Sequence, residues 1–179
     1  MESLIHFMNL IRDRRGLAAV EFALTLPFLL LIYFGGVELT QGVTLNRQVA
    51  LTSTTMATIL SQYTTISAST QLADILAAST QILAPYGTGT PKVVVSLITI
   101  DANKNATVTW SKTLNGTAHI VNASVTVPSD LDIANTTLIW SETSYAYSPV
   151  FDFLGLGPFN LYGSIYMVPR ESTTINLTA

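Results

Sequence analysis

The residues whose types and spacing could carry chemistry lie near the N-terminus. A basic cluster is followed by Gly16 and then by twenty residues, 17–36, in which Glu21 is the only charged side chain. Twenty helical residues span about 30 Å, the thickness of the hydrocarbon core of a bilayer. Glu21 would therefore lie inside a membrane, where a carboxylate costs about 2.5–3.5 kcal/mol and usually pairs with a specific partner. The basic cluster consists of three arginines: Arg12, Arg14 and Arg15.

The arginines predict how the chain is oriented in the membrane. Positively charged segments beside a membrane helix resist translocation, so the N-terminus is expected in the cytoplasm and the residues after about position 36 on the opposite side. A removed signal peptide is an alternative, but its apolar region is usually 7–15 residues long, and no good cleavage site follows residue 36 here. An uncleaved anchor is the stronger alternative.

Two segments of the sequence carry a resemblance to known proteins. Residues 16–22, GLAAVEF, resemble the processing site of type IVb prepilins, with a glycine before the cleaved bond, glutamate at the fifth mature position and an aromatic residue at the sixth. The longer stretch 14–30, with Pro27 in the middle of the apolar helix, is similar to the TadE-like family, which comprises pseudopilins and assembly proteins of bacterial tight-adherence (Tad/Flp) pili. A fainter resemblance covers residues 144–149 and 167–170.

This resemblance implies that the chain is the substrate of an enzyme and not an enzyme itself. It implies a membrane prepilin peptidase that cuts between Gly16 and Leu17, and it assigns Glu21 and Phe22 to assembly. The freed amine of Leu17 could then pair with Glu21 on the same chain or on a neighbour and so set the axial register. The implied partners are other pseudopilins, the Flp pilin, the Tad assembly platform and its ATPase.

Several alternatives stay open at the level of sequence. Glu21 could be an interfacial glutamate that reaches water. Pro27 removes one backbone donor and predicts a kink or local unwinding, which could be a tolerated membrane proline or a bend suited to a filament core. The whole chain could be a permanently anchored scaffold that is never cut, and entry into the fibre is left undecided.

Composition fits an exported domain on a membrane anchor and excludes several functions. Charged residues make up 11% of the chain, against about 25% in typical soluble proteins. The absence of cysteine excludes disulfides and thiol ligands. After residue 36 the chain is mildly acidic, so it lacks the basic surface that nucleic-acid binding requires.

The search for a catalytic or metal site finds little. The only histidines are His6 and His119, and there is no zinc-binding histidine pair. Residues 101–105, DANKN, imitate the start of a calcium loop, but the sixth position is Ala106 and the twelfth is Lys112, so a hairpin turn is the better interpretation. We therefore expect no cofactor, no metal and no enzymatic activity.

A tethered periplasmic binding or enzymatic domain is a third alternative. It would depend on a ligand-stacking face built from four aromatic residues: Trp110, Trp140, Tyr145 and Tyr147.

Hydrophobic spacing predicts two helices. The first continues beyond the membrane to about Tyr63, although its many threonines are weak helix formers in water. The second is expected to be capped by Ser67 or Ser69 and to stop at Pro85. Its apolar face follows helical spacing: Leu72, Ile75, Leu76, Ile82 and Leu83.

The period then changes to two and predicts strands. Residues 92–100 and 106–112 form a hairpin, with Val108 and Trp110 on one face, and residues 161–168 form a last strand. The longest strand candidate, 136–147, places Leu138 and Trp140 on one face. A short edge piece is expected at 121–127 and an apolar bend at 151–157.

The predicted fold is α+β: a long N-terminal transmembrane helix extended into a pilin-like domain, with a second helix and a four- to five-stranded antiparallel meander. The expected location is the bacterial inner membrane, crossed once. Four segments are predicted: a cytoplasmic prepilin-like leader, 1–16; a transmembrane helix, 17–36; an extracytoplasmic helical region, 37–90; and an antiparallel β domain, 91–179.

Overall fold

The computed structural model describes residues 16–86, 89–149 and 157–179. Arg12, Arg14 and Arg15 lie outside these residues, as does nearly all of the predicted bend at 151–157. The chain forms two compact units, Met1–Thr40 and Gln41–Ala179.

The first helix, α1, runs through Leu17–Leu60, as the apolar run and the proline-free continuation predicted. Within the second unit one side of α1 is buried at i, i+3 and i+4 spacing, the pattern of a helix that packs on a sheet. The buried residues are Leu45, Val49, Thr52, Ser53, Met56, Ala57 and Leu60. The hydroxyls of Thr54, Thr55 and Thr58 donate to carbonyls four residues earlier, at 2.7–3.0 Å, which explains how a threonine-rich segment satisfies its polar groups while staying helical.

The second helix, α2, spans Gln71–Leu83 and buries the predicted apolar face. The predicted serine cap is wrong, because Thr70 occupies the N-cap position and makes no side-chain capping bond. Ser67 and Ser69 are engaged elsewhere: their hydroxyls lie 3.3 Å apart, and the backbone N–H of Ser67 donates to the side chain of Gln71. The helix ends in a 3₁₀ turn, Ala84–Tyr86, that contains Pro85, as expected.

A four-stranded antiparallel sheet follows, and with the two helices it confirms the α+β class. Its strands are β2 (Lys92–Ile100), β3 (Ala106–Leu114), β4 (Thr136–Tyr147) and β5 (Phe159–Met167). The order is β3-β2-β4-β5, so β4 pairs with β2 and not with its predecessor β3. This order differs from a simple meander because residues 115–135 cross over the sheet between β3 and β4.

A β-bulge overturns one predicted side-chain alignment. Val108 pairs with Ile98 and Trp110 pairs with Leu97, with the register shifting between Leu97 and Ile98. Neighbouring residues of β2 point to opposite faces, so Val108 and Trp110 do not share a face as the simple alternation predicted.

A short parallel pair lies outside the main sheet. β1 (Thr65–Ser67) pairs with β6 (Asn176–Thr178), with Ile66 opposite Leu177. The predicted edge piece at 121–127 is reduced to a single bridge between Thr107 and Ser124.

The sheet buries side chains on both faces. We call the face that packs on α1 and α2 the helix-side face; its core includes Met56, Leu60, Leu72, Val95, Leu97 and Ile139. We call the other the outer face; its core contains Ile98, Ile100, Ala106 and Leu138. Residues 115–128, which we call the strap, supply Val125 and Val127 to the outer-face core.

Candidate functional site

The residues predicted for processing and assembly lie together at the start of α1. We call Gly16, Leu17, Glu21 and Phe22 the processing segment. Gly16 lies in a 3₁₀ turn directly before the first α-helical residue, Leu17, and all four residues are exposed in the described chain. The α-helical backbone therefore begins at the proposed cleavage site, between Gly16 and Leu17.

Helical spacing brings Leu17 and Glu21 onto the same side of α1. Helical side chains lean toward the N-terminus of their helix, so the Glu21 side chain is directed toward the turn that begins at Leu17. Within the described residues the Glu21 side chain forms no ion pair. Its backbone carbonyl oxygen accepts the Thr25 hydroxyl at 3.0 Å.

The part of α1 that carries this segment is apolar all round. Its most hydrophobic 18-residue window has a mean hydropathy of 2.1, and none of that window is buried inside the protein. Leu17 and Phe22 are 58% and 59% exposed. Among the described helices α1 alone is long and apolar enough to cross a membrane, and so large an exposed apolar surface indicates a membrane anchor.

Pro27 lies inside α1, and the helix continues through it. Proline carries no backbone N–H, so the carbonyl of Ala23 lacks its usual helical donor. A kink at Pro27 stays a prediction.

The aromatic residues proposed as a ligand-stacking face do not come together. Tyr145, Tyr147 and Trp110 are buried on the helix-side face. The indole N–H of Trp110 donates to the Ile175 carbonyl at 2.9 Å, and the Tyr145 hydroxyl accepts the Gly89 N–H at 2.8 Å. Trp140 lies instead on the outer face, so the four rings offer no shared surface to a ligand.

The structure reveals a polar and aromatic cluster on the outer face that sequence reasoning missed. We call it the outer-face cluster: His119, Trp140, Glu142, Tyr162 and Tyr166. The Trp140 ring lies between His119, with centroids 4.4 Å apart, and Tyr166, with centroids 5.5 Å apart. Both neighbouring rings are nearly parallel to the indole, with interplanar angles of 17° and 13°.

Glu142 is the centre of the hydrogen bonding in this cluster. One carboxylate oxygen accepts the Tyr162 hydroxyl at 2.6 Å, and the other lies 2.5 Å from Nε2 of His119. Burial and the hydrogen bond to Glu142 raise the pKa of Tyr162 to about 12. Burial and the charge of Glu142 also raise the pKa of Tyr166.

Only strand register could have identified this cluster. Trp140 and Glu142 alternate along β4 and lie opposite Tyr166 and Ser164 on β5. The alternation is visible in the sequence, but the pairing of the two strands is not. His119 reaches the cluster from the strap, outside any regular strand.

The imitation of a calcium loop at residues 101–105 is a hairpin turn, as predicted. The Asp101 carboxylate accepts the backbone N–H groups of Asn103 and Asn105 and the side-chain amide of Asn105, at 2.7–2.9 Å. These hydrogen bonds lower the pKa of Asp101, and the bond from the Asn105 side chain has the largest effect. Residues 16–86, 89–149 and 157–179 contain no group of three or more His, Cys, Asp or Glu that could hold a metal ion.

A comparison with protein families identifies the segment that contains the processing residues. Residues 16–57 match the family model described as TadE-like protein. The predicted resemblance is thereby confirmed over most of α1, including Glu21, Phe22 and Pro27. Comparisons with curated proteins and with solved structures found no match.

Proposed function

We propose that this TadE-like protein is a minor pseudopilin or assembly component of a bacterial tight-adherence pilus. It is inserted in the inner membrane and cleaved between Gly16 and Leu17 by a prepilin peptidase. The arginines at positions 12, 14 and 15 keep the leader in the cytoplasm, and the second unit lies in the periplasm. Other pseudopilins, the Flp pilin, the assembly platform and its ATPase are the partners.

The observation that carries this proposal is the coincidence of the family match with the start of α1. The match begins at Gly16, and the helix begins at Leu17. The proposed scissile bond thus lies where the backbone changes from a 3₁₀ turn to the α-helix, next to an exposed glycine without a side chain that would hinder a peptidase. The same bond separates the basic leader from the apolar helix.

Glu21 has a physical role after cleavage. The new amine of Leu17 would be a positive charge at the positive end of a helix dipole, which is an unfavourable position. A carboxylate one turn away, on this chain or on a neighbouring helix, would offset that charge. Because the apolar part of α1 offers no other charged group, a neighbour that pairs with Glu21 would fix its axial position.

An N-terminal mass measurement tests the cleavage. Co-expressed with its peptidase, the protein is expected to begin at Leu17. Gly16→Leu should leave the chain at full length, because a bulky side chain next to the scissile bond obstructs the peptidase. Gly35→Leu is a matched control, since a Cβ at either glycine meets no atom within 4 Å; this variant should still be cut.

Recovery of an intact Met1 end from cells that make pili would remove the pseudopilin assignment. The same result would favour the alternative, a permanently anchored assembly scaffold.

A further inference from the structure

His119 fastens the strap to the outer face of the sheet. Its backbone N–H donates to the Ser111 hydroxyl at 3.0 Å, its ring stacks on Trp140, and its Nε2 contacts the Glu142 carboxylate. From residue 115 to residue 128, His119 is the only titratable side chain. One imidazole therefore makes the only charge-dependent contact of the strap.

The other titratable groups that face this imidazole are one carboxylate and two tyrosine hydroxyls. Glu142 faces it from β4, with Tyr162 and Tyr166 on β5 beyond. The raised pKa values of the two tyrosines, about 12 for Tyr162, keep both hydroxyls neutral. Tyr162 donates to Glu142 in every state below that range, so the carboxylate stays in place. On β2 and β3 the charged side chains are those of Lys92 and Lys112, which are exposed, and neither forms an ion pair within the described residues.

We propose that His119 is a pH-sensitive latch, which holds the strap against the outer face most tightly when its imidazole is protonated. Histidine is the one side chain that ordinarily changes charge between about pH 5 and pH 8. An imidazolium donates a charge-assisted hydrogen bond to Glu142 and places a cation on the face of Trp140. A neutral imidazole keeps, at best, an ordinary hydrogen bond.

The direction of the pH effect on strap docking follows from the contacts that the docked strap offers to the protonated imidazole. The additional stability is present while the imidazole carries its second proton, and it is lost when the imidazole becomes neutral. The side chains of His119 and Glu142 are 31% and 15% exposed, so solvent screens the pair in part. The change in the docking equilibrium should therefore be modest, about two- to fivefold.

Hydrogen exchange of the full chain in detergent micelles tests the latch. Protection factors, corrected for intrinsic exchange, are measured at about pH 5.5 and about pH 7.5, on either side of the usual histidine range. The hydrogen-bonded amides of His119, Asn122 and Ala123 should lose protection by about two- to fivefold at the higher pH. The amides of β2 serve as an internal control and should not change.

Three variants separate the latch from general loosening of the fold. The pH response of the strap should disappear in His119→Gln, which keeps a donor without a titratable ring, and in Glu142→Gln, which removes the charge that attracts the imidazolium. It should persist in Tyr162→Phe, which leaves the imidazole and carboxylate in place. If His119→Gln frees the strap at both pH values, the pH response of strap protection in Glu142→Gln decides whether the latch exists. A wild-type strap without a pH response, or a response that survives in Glu142→Gln, would overturn the proposal.

Discussion

Gly163 of β5 lies against the backbone of α1. A Cβ at this position would lie 2.9 Å from the Ala50 Cα and 3.1 Å from the Val49 carbonyl oxygen. The Gly163 carbonyl accepts the Ser53 hydroxyl at 2.9 Å, which ties the same strand to the same helix. Since both neighbours are backbone atoms, they cannot rotate away, and this glycine sets how closely α1 seats on the sheet.

Gly163→Ala should therefore destabilise the second unit by about 1–3 kcal/mol, the usual cost of overpacking. Gly42→Ala is the matched control, because its Cβ meets only the Tyr147 ring, at an ordinary 3.7 Å. Alanine is the better helix former, so the control should be stabilised by about 0.5–1 kcal/mol. Thermal unfolding of both variants in the same detergent measures the difference. Equal melting temperatures would contradict the close approach.

Individual residues on the outer face could not be assigned from the sequence. The alternation along β4 correctly places Leu138 and Trp140 on one face. The contacts of Trp140 depend on which residues of β5 and of the strap lie beside it, and those are set by long-range pairing. Residue types alone therefore gave no reason to connect His119 with Glu142.

At the scale of elements, long periodic segments were predictable and short ones were not. The bounds of β4, Thr136–Tyr147, agree with the predicted strand because twelve alternating residues constrain both its period and its length. A β-bulge reverses which residues of β3 face each side of the sheet, and the alternating sequence of β3 gives no sign of it. The three-residue strands β1 and β6 pair although they lie more than a hundred residues apart in the sequence. Each is too short for an alternating pattern to be recognised in the sequence.

The orientation of α1 in the membrane is open to a direct test at this scale. The chain has no cysteine, so single cysteines report on one position each. A cysteine at Asn103, exposed in the β2–β3 turn, should react with a membrane-impermeant thiol reagent once the outer membrane has been permeabilised. A cysteine at Ser3 should not react until the inner membrane is also lysed. The opposite labelling pattern would overturn the orientation argued from the three arginines.

At the scale of the whole molecule, the two compact units differ in the surfaces they present. The described part of the first unit is an apolar helix whose acidic side chains are Glu21 and, near its end, Glu38. The second unit buries an apolar core on both faces of a sheet and exposes mostly uncharged polar residues. The family match lies on α1 and indicates a pilus-related membrane protein.

The sequence was most informative about function where a few residues act through simple spacing. A glycine, an acid five residues later and an apolar run are recognisable without knowledge of the fold. The sheet domain carries no comparable signal, because its function would depend on surfaces that form only when distant strands pair.

The most direct test of the central claim is complementation of a deletion strain with Glu21→Gln, measuring pilus number and membrane protein level together. Glutamine keeps the size of the side chain and removes its charge, so insertion in the membrane should be as good or better. Glu38→Gln, a second helical acid of the first unit, is the control and should restore pili. We predict that Glu21→Gln accumulates in the membrane at a normal level, is cleaved after Gly16 and restores few or no pili. Normal piliation at a normal protein level would contradict the claim that this charge is used for assembly.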